Sequence, residues 1–530
     1  MLPTLKTRNR YPERAEAIAK KLRNYTHESF LQCFYEHFQV YRSEDNKITM
    51  NFPWCCFLAL KWKFCMPQKI NATEMSRRDF ENIVNRTYQL QDEAADLFRN
   101  EGIFLEMRRM VINQSFYQTS LRTFVMNIVR QYCWYCCNDS PFFKDNFFRI
   151  TGLRLDSYYK MAFFLLAFFN IKKDSESGVL KLNQLIIYMV PVFGVDEVDS
   201  FMRLVALRPH DAEIFCKQHH REDWKAEEYY ERTPFVFRPL FLTENEVVAL
   251  SKHVLGAGLS TLVPELFSKR LSGVYGDKFG KTVERYLENY IRHTFTGLRS
   301  EKELILLYKR AGHTGKVVDY LIDEGEARVF IDSKAVMPHR HLRESADARM
   351  LNKKIQANLI EGLEKGEKCA SIINKIEKRS PCERDSLIII LYQDHFISNG
   401  AFIASNIQPD VFDNLRQELQ HLPIPANRVY YLTIDEFEML IDICRLKHLT
   451  ITEIIDRISD SDRIPMTQKL NFEMHLLEFL PEEYPVRKDV SDVYDTLLYE
   501  FKECMNQTSK IWDGKLDEFM RIKRRLQLKK

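Results

Sequence analysis

The stretch that most constrains this chain is residues 315–336, "GKVVDYLIDEGEARVFIDSKAV". Two short runs of β-branched and apolar residues flank a polar turn, which is the pattern of a β-hairpin. Such strands are normally buried, yet these contain Asp319, Asp332 and Lys334. Burying a lone charge is costly unless it is paired or binds a metal. The hairpin is therefore predicted to hold a functional site.

The spacing of the charged residues predicts which of them lie together. Side chains two apart in a strand share a face, so Asp332 and Lys334 point the same way. A turn at Glu324-Gly325 pairs residue 319 with residue 330. Asp319 then shares a face with Asp332 at a diagonal offset of about 7–8 Å at the backbone. Two converging carboxylates suit Mg²⁺, which takes one or two of them together with water and substrate phosphate. Beside such an ion, Lys334 can orient or deprotonate a water, or stabilise charge on a phosphate.

The surrounding sequence predicts an α/β domain with a mixed sheet. "KFGKTVERYLENYIRHTF" has one apolar stripe and predicts an amphipathic helix. "KELILLYKR" is interpreted as a strand before the hairpin, and "SADARMLNKKIQANLIEGLEKG" as a helix that ends near a glycine. "DSLIIILYQDHF" predicts a strand buried on both faces. "NRVYYLTIDEFEMLIDICRL" predicts a strand followed by a capped helix.

The 530 residues are too many for one ordinary core. Residues 1–235 show helical spacing and many aromatics, which predicts a large all-α N-terminal domain. Residues 236–274 are interpreted as a connector with a Thr-x-x-Glu capping box at 243–246. The α/β domain is expected over 275–445, and C-terminal helices with a basic tail over 446–530.

Localisation and redox state follow from the N-terminus and the cysteines. The first residues lack an apolar run of the length that a secretory signal needs, so we expect a cytoplasmic protein with reduced thiols. "MAFFLLAFF" is about half the length that spans a bilayer and predicts a buried helix. Twelve cysteines are irregularly placed, and Cys133-x-x-Cys136 is interpreted as buried thiols in preference to a zinc site.

Around the hairpin the sequence resembles the PD-(D/E)XK nuclease superfamily, over about residues 275–440. The matching residues are Glu284 in "FGKTVERYL", Asp319 in "VVDYLI", and Asp332 with Lys334 in "VFIDSKA". Val318 stands where the motif's proline would be, and Asp332 where glutamate is commoner. The resemblance implies a restriction-endonuclease-like fold and a Mg²⁺-dependent endonuclease, with Mn²⁺ as an alternative ion.

By the same resemblance, Asp319, Asp332 and Glu284 are the expected metal ligands, and Lys334 positions or activates the attacking water. Glu288, one turn from Glu284, replaces it if the helix phase is different. Expected substrate-binding residues follow the hairpin in a basic segment. They are Arg340, Arg343, Lys353, Lys354 and Gln356.

The predicted function is thus hydrolysis of phosphodiester bonds in nucleic acid, with DNA as the favoured substrate. A nuclease joined to a large helical domain resembles bacterial antiphage effectors, so that domain is expected to bind a protein trigger or partner and to restrain the enzyme. One alternative keeps the site and cleaves RNA such as tRNA. Another is a non-catalytic adaptor that binds nucleic acid or protein. The chain is expected to act away from membranes, as a monomer or an oligomer.

Overall fold

The computed structural model describes residues 10–39, 51–95, 102–137, 140–171, 178–220, 223–334, 340–464, 467, 469, 471–480 and 488–527. This part of the chain is mostly helical and contains two small mixed sheets. None of the helices in these ranges is long and apolar enough to cross a membrane.

The helices, in chain order, are α1 (Tyr11–Leu22), α2 (His27–Gln39), α3 (Pro53–Cys65), α4 (Arg77–Tyr88), α5 (Gln91–Ala95), α6 (Ile103–Phe116), α7 (Leu121–Tyr135), α8 (Phe142–Thr151), α9 (Leu155–Ile171), α10 (Leu182–Phe193), α11 (Val195–Val205), α12 (Ala212–Gln218), α13 (Lys252–Arg270), α14 (Tyr275–Arg292), α15 (Glu301–Arg310), α16 (Arg340–Glu344), α17 (Ala348–Ile355), α18 (Glu361–Glu377), α19 (Gly400–Asn406), α20 (Val411–Leu419), α21 (Ile434–Lys447), α22 (Ile451–Asp462), α23 (Phe472–Leu476), α24 (Lys488–Asn506) and α25 (Leu516–Gln527). The strands are β1 (Gly178–Lys181), β2 (Ala206–Leu207), β3 (Leu240–Leu242), β4 (Glu246–Ala249), β5 (Leu298–Ser300), β6 (Tyr320–Asp323), β7 (Arg328–Lys334), β8 (Ser386–Leu391) and β9 (Val429–Thr433).

The chain forms two compact units. The first comprises the described parts of 1–100, 110–266 and 486–530, and the second those of 101–109 and 267–485. The predicted boundaries at 235, 275 and 445 do not coincide with these limits. In particular, α24 packs within the first unit, where Lys160 pairs with Glu500 at 2.6 Å and Phe163 contacts Tyr494. Such a return of the chain is set by long-range packing, which local patterns do not encode.

The sequence predicted an all-α N-terminal domain, but the first unit also contains β-strands. It contains a four-stranded sheet of order β1-β4-β3-β2, in which β2 is parallel to β3 and the other pairs are antiparallel. These strands have two to four residues, too few to show a period. The predicted helix cap at 243–246 is the turn between β3 and β4, where the Thr243 amide donates to the Glu246 carbonyl. The apolar run 161–169 lies in α9 and is largely buried, as predicted.

The second unit is built on a five-stranded mixed sheet of order β5-β6-β7-β8-β9. The pairs β5/β6 and β6/β7 are antiparallel, while β7/β8 and β8/β9 are parallel. The predicted strand in "DSLIIILYQDHF" is confirmed as β8, and all of its residues are buried. Helix α18 packs on β7 and β8 over one face, where Leu363 and Ile373 join Phe330, Leu387 and other core residues.

Helix α14 has the predicted apolar stripe. Its members are all buried: Phe279, Val283, Tyr286, Leu287, Tyr290 and Ile291. The Tyr286 and Tyr290 hydroxyls reach α21, where they donate to Glu438 at 2.6 Å and Asp442 at 2.7 Å. These bonds satisfy two buried carboxylates and fix α14 beside the sheet.

The prediction of a strand in "KELILLYKR" was wrong, because this segment is helix α15. Ser300 and Glu303 form a capping box that starts the helix directly after the short strand β5. A short apolar run fits either a strand or a buried helix, so the cap is the deciding local signal.

Candidate functional site

The charged residues of the hairpin meet across β6 and β7. The register pairs Tyr320 with Ile331 and Asp323 with Arg328. Asp319, immediately before β6, is therefore opposite Asp332. The Ser333 amide donates to Asp319 Oδ2 at 2.7 Å, which holds this carboxylate against β7.

The predicted register was wrong by two residues, because the turn is longer than expected. Residues 324–327 form the loop, in which the Glu324 amide donates to the Ala327 carbonyl. Gly325 has a φ of +86°, a left-handed conformation that favours glycine. An error of two residues preserves the strand faces, so the prediction that Asp319 and Asp332 share a face is confirmed.

Two lysines neutralise the two carboxylates. Lys365 Nζ lies 3.0 Å from Asp319 Oδ1 and 2.5 Å from Asp332 Oδ1. Lys334 Nζ lies 3.1 Å from Asp332 Oδ2. The Asp332 side chain is fully buried, and the other three are at most 16% exposed. The cluster is a compact group of two anions and two cations, as burial of charge requires.

Lys365 reaches the aspartates because α18 approaches the sheet closely. A Cβ at Gly366 would lie 2.4 Å from Leu387, and one at Gly362 would lie 3.4 Å from Asp332 Oδ2. Both positions are within one turn of Lys365, so the glycines let this face of the helix touch β7 and β8. The sequence does not single out Lys365, and the prediction that the helix ends near Gly366 was wrong, because α18 continues to Glu377.

Burial and neighbouring charges shift the pKa values of Asp319 and Lys365. Burial, together with the Asp332 carboxylate, raises the pKa of Asp319 to about 7, although the Lys365 charge acts against the rise. Burial alone would lower the pKa of Lys365, but the two aspartates outweigh it and raise that pKa above its ordinary value. Lys365 therefore remains an ammonium ion, and its charge favours the ionised form of Asp319.

Glu284 lies on α14 next to this cluster. The Tyr320 hydroxyl donates to the Glu284 carbonyl oxygen at 2.6 Å, which joins α14 to the start of β6. Burial raises the pKa of the half-buried Glu284 carboxyl, with further contributions from Glu301 and Asp332, while Lys365 opposes them. Glu288 instead pairs with Arg292 on the same helix. Of the two predicted glutamates, Glu284 is the one that interacts with the aspartates electrostatically.

The predicted substrate-binding residues follow β7, and those whose side chains the structure describes have their identified hydrogen bonds elsewhere than at the aspartates. Arg343 donates to Gln393, and Gln356 donates to Asn352 and to Gln408. On α17, Lys353 is exposed and Lys354 is half-buried. The side chain of Arg340 lies outside the described residues. No structural feature assigns these side chains to a substrate, so their role stays a prediction.

The donor chemistry of the cluster fits a small divalent cation. Asp319 and Asp332 supply carboxylate oxygens, and the buried Asp332 Oδ2 is paired ionically with Lys334 at 3.1 Å but accepts no hydrogen bond from any described residue. Mg²⁺ and Mn²⁺ suit oxygen donors, and Mg²⁺ commonly takes only one or two protein carboxylates. Within the described ranges no three His, Cys, Asp or Glu side chains converge closely enough to hold a metal. The fit therefore rests on two aspartates, and Glu284 does not complete such a group with them.

Comparisons of the chain with protein-family models, with curated proteins and with solved structures found no match. The geometry of the cluster is therefore the observation from which a function can be inferred.

Proposed function

We propose that this chain is a metal-dependent nuclease that hydrolyses phosphodiester bonds of nucleic acid, with DNA as the favoured substrate. The observation that carries the proposal is the buried pair Asp319 and Asp332, which face each other across β6 and β7 with Lys334 at the same edge. A purely structural hairpin has no need of two adjacent buried carboxylates, which repel each other unless cations are supplied.

The order of elements supports the same proposal. Helix α14 with Glu284 precedes the antiparallel strands β5, β6 and β7, and α18 then leads to the parallel strand β8. This arrangement is the one expected for a restriction-endonuclease-like core, with the Asp-x-Lys of β7 in its central strand. Helix α15 is an insertion between β5 and β6.

In the proposed reaction, Asp319 and Asp332 would hold Mg²⁺ or Mn²⁺. The bound ion would polarise the scissile phosphate and favour ionisation of a nearby water. Lys334, positioned by Asp332 Oδ2, orients that water or stabilises the negative charge that builds on the phosphate. Glu284 adds a third negative charge beside the pair, which strengthens the attraction for a divalent cation.

Cleavage assays on plasmid DNA, single-stranded DNA and total RNA, with Mg²⁺, Mn²⁺ or EDTA, test the proposal. Asp332→Asn removes one carboxylate charge with little change of shape, and we expect it to lose at least about 100-fold in rate. Asp323→Asn makes the same chemical change at the other end of β6 and should keep the wild-type rate. Thermal melting of each variant checks that it is folded.

Metal-dependent cutting by wild type and Asp323→Asn alone would support the nuclease. The preferred substrate would then decide between DNA and the RNA alternative. Cutting that persists in EDTA, or equal rates for wild type and Asp332→Asn, would contradict the proposal. Metal-independent binding of nucleic acid without cleavage under any of these conditions would favour the adaptor.

A further inference from the structure

In this conformation, the carboxylate oxygens of the aspartate pair are engaged by groups of the protein. Asp319 Oδ2 accepts the Ser333 amide, and Asp319 Oδ1 contacts Lys365. Asp332 Oδ1 also contacts Lys365, while Oδ2 faces Lys334. The Lys365 ammonium bridges the two carboxylates and thus occupies the place between them that a shared cation would take.

A metal ion and this ammonium cannot occupy that place together. A bound Mg²⁺ lies about 2.1 Å from its oxygen ligands. Lys365 Nζ lies 3.0 Å from Asp319 Oδ1 and 2.5 Å from Asp332 Oδ1, so it stands between the two carboxylates that would hold such an ion. Steric overlap and repulsion between like charges therefore require the ammonium to withdraw before a metal ion bridges the pair.

A second carboxylate is available to a displaced Lys365. Glu361 precedes it by four residues on α18, the spacing and order at which a glutamate and a lysine interact favourably on a helix. Lys316 Nζ already binds Glu361 Oε1 at 2.7 Å. Rotation of the Lys365 side chain toward Glu361 would keep the ammonium paired while it frees the aspartates.

We propose that Lys365 is a built-in competitor of the metal ion: it bridges Asp319 and Asp332 in the metal-free protein and must leave them before a divalent cation binds. This inference rests on the metal site of the proposed function. Its consequence is a higher Kd for the metal ion, because part of the binding free energy is used to break two buried ion pairs. The same contacts stabilise the metal-free fold, since the ammonium offsets the repulsion between the two carboxylates.

Isothermal titration with Mn²⁺, without nucleic acid, tests the competition directly. The proteins are wild type, Lys365→Met, Lys365→Gln and Lys368→Met, with Asp332→Asn to identify binding at this site. Lys368 is on the same helix as Lys365 and forms an exposed ion pair with Glu418 of α20, so Lys368→Met is the matched control. We expect Kd for Mn²⁺ to fall at least about tenfold in both Lys365 variants and to be unchanged in Lys368→Met.

Thermal melting supplies a second readout if a variant is poorly folded. Lys365→Met should melt below wild type without metal, and Mn²⁺ should raise its Tm by more than it raises that of wild type. A merely structural lysine would lower Tm equally with and without the ion and leave Kd unchanged.

The outcomes separate this inference from the proposed function. Equal or weaker Mn²⁺ binding by the Lys365 variants, lost in Asp332→Asn, would refute the competition and leave the metal site standing. Binding by the Lys365 variants alone would support the competition in its strongest form. Binding by none of the folded proteins would overturn both the metal site and the inference built on it.

Discussion

Glu367→Gln is expected to stabilise the protein increasingly as pH rises. Glu367 lies in α18 and is fully buried. Its Oε2 accepts the Ile424 amide at 3.2 Å, and its Oε1 contacts no hydrogen-bond donor among the described residues. Burial raises the pKa of this carboxyl from 4.5 to about 8, and the Ile424 bond only partly offsets the rise. The folded protein thus keeps Glu367 protonated at neutral pH.

The sign of the effect follows from proton linkage. Below pH 4.5 both the folded and the unfolded chain hold the proton, so Glu367 has no pH-dependent cost. Between that pH and about 8, only the unfolded chain releases the proton, and the folded state loses about 1.4 kcal/mol per pH unit. The cost is about 3 kcal/mol at pH 7 and levels off at about 5 kcal/mol above pH 8. A neutral glutamine of similar shape avoids this cost.

Denaturant unfolding of wild type and Glu367→Gln at pH 5, 6, 7 and 8 measures the difference. Glu364→Gln, an exposed position on the same helix, is the control and should change the free energy of unfolding by less than about 0.5 kcal/mol throughout. A difference between Glu367→Gln and wild type that stays constant with pH would refute the reasoning. It would mean that Glu367 ionises in the folded state at its ordinary pKa.

Two further substitutions test the packing and the ion pairs of the second unit. Gly366→Ala should lower the free energy of unfolding by about 1–3 kcal/mol, because its Cβ would overlap Leu387 on the buried strand β8. The control Gly276→Ala has nothing within 4 Å of its Cβ and should be neutral or stabilising. Equal melting temperatures of the two variants would contradict the close approach of α18 to the sheet. Arg328→Met should cost about 3–5 kcal/mol, since it leaves the fully buried Asp385 without the guanidinium 2.7 Å away. Arg416→Met, which breaks an exposed pair, should cost less than about 1 kcal/mol, and a similar loss from both arginine variants would argue against this difference.

The elements of the second unit were predictable where a local pattern was long and regular. The stripe of α14 and the apolar run of β8 each show a clear period or length, and both are buried as expected. The segment 302–310 was wrongly predicted as a strand because its apolar run is short, and the capping box at Ser300 and Glu303 is the local signal that favours a helix. In the first unit, the strands of the small sheet were too short to leave any local signal.

The candidate site was predictable only in part. Asp319, Asp332 and Lys334 could be found because all three lie on one hairpin, where the two-residue period of a strand fixes the shared face. Gln356, one of the predicted substrate-binding residues, bonds to Gln408, whereas Lys365, which the sequence does not single out, contacts both aspartates. Which residue of a helix meets a distant strand depends on how the helix docks, here through Gly362 and Gly366.

The sequence by itself determined that two aspartates and a lysine share one face of a buried hairpin, since strand periodicity acts over neighbouring residues and survives an even error in register. Only the tertiary structure decided that Lys365 bridges the aspartates, that Asp332 is fully buried and that Glu284 lies beside them. These features depend on the approach of α14 and α18 to the sheet, which arises from packing between residues far apart in the chain. Local patterns therefore specify the acids, while long-range packing specifies the cation that neutralises them.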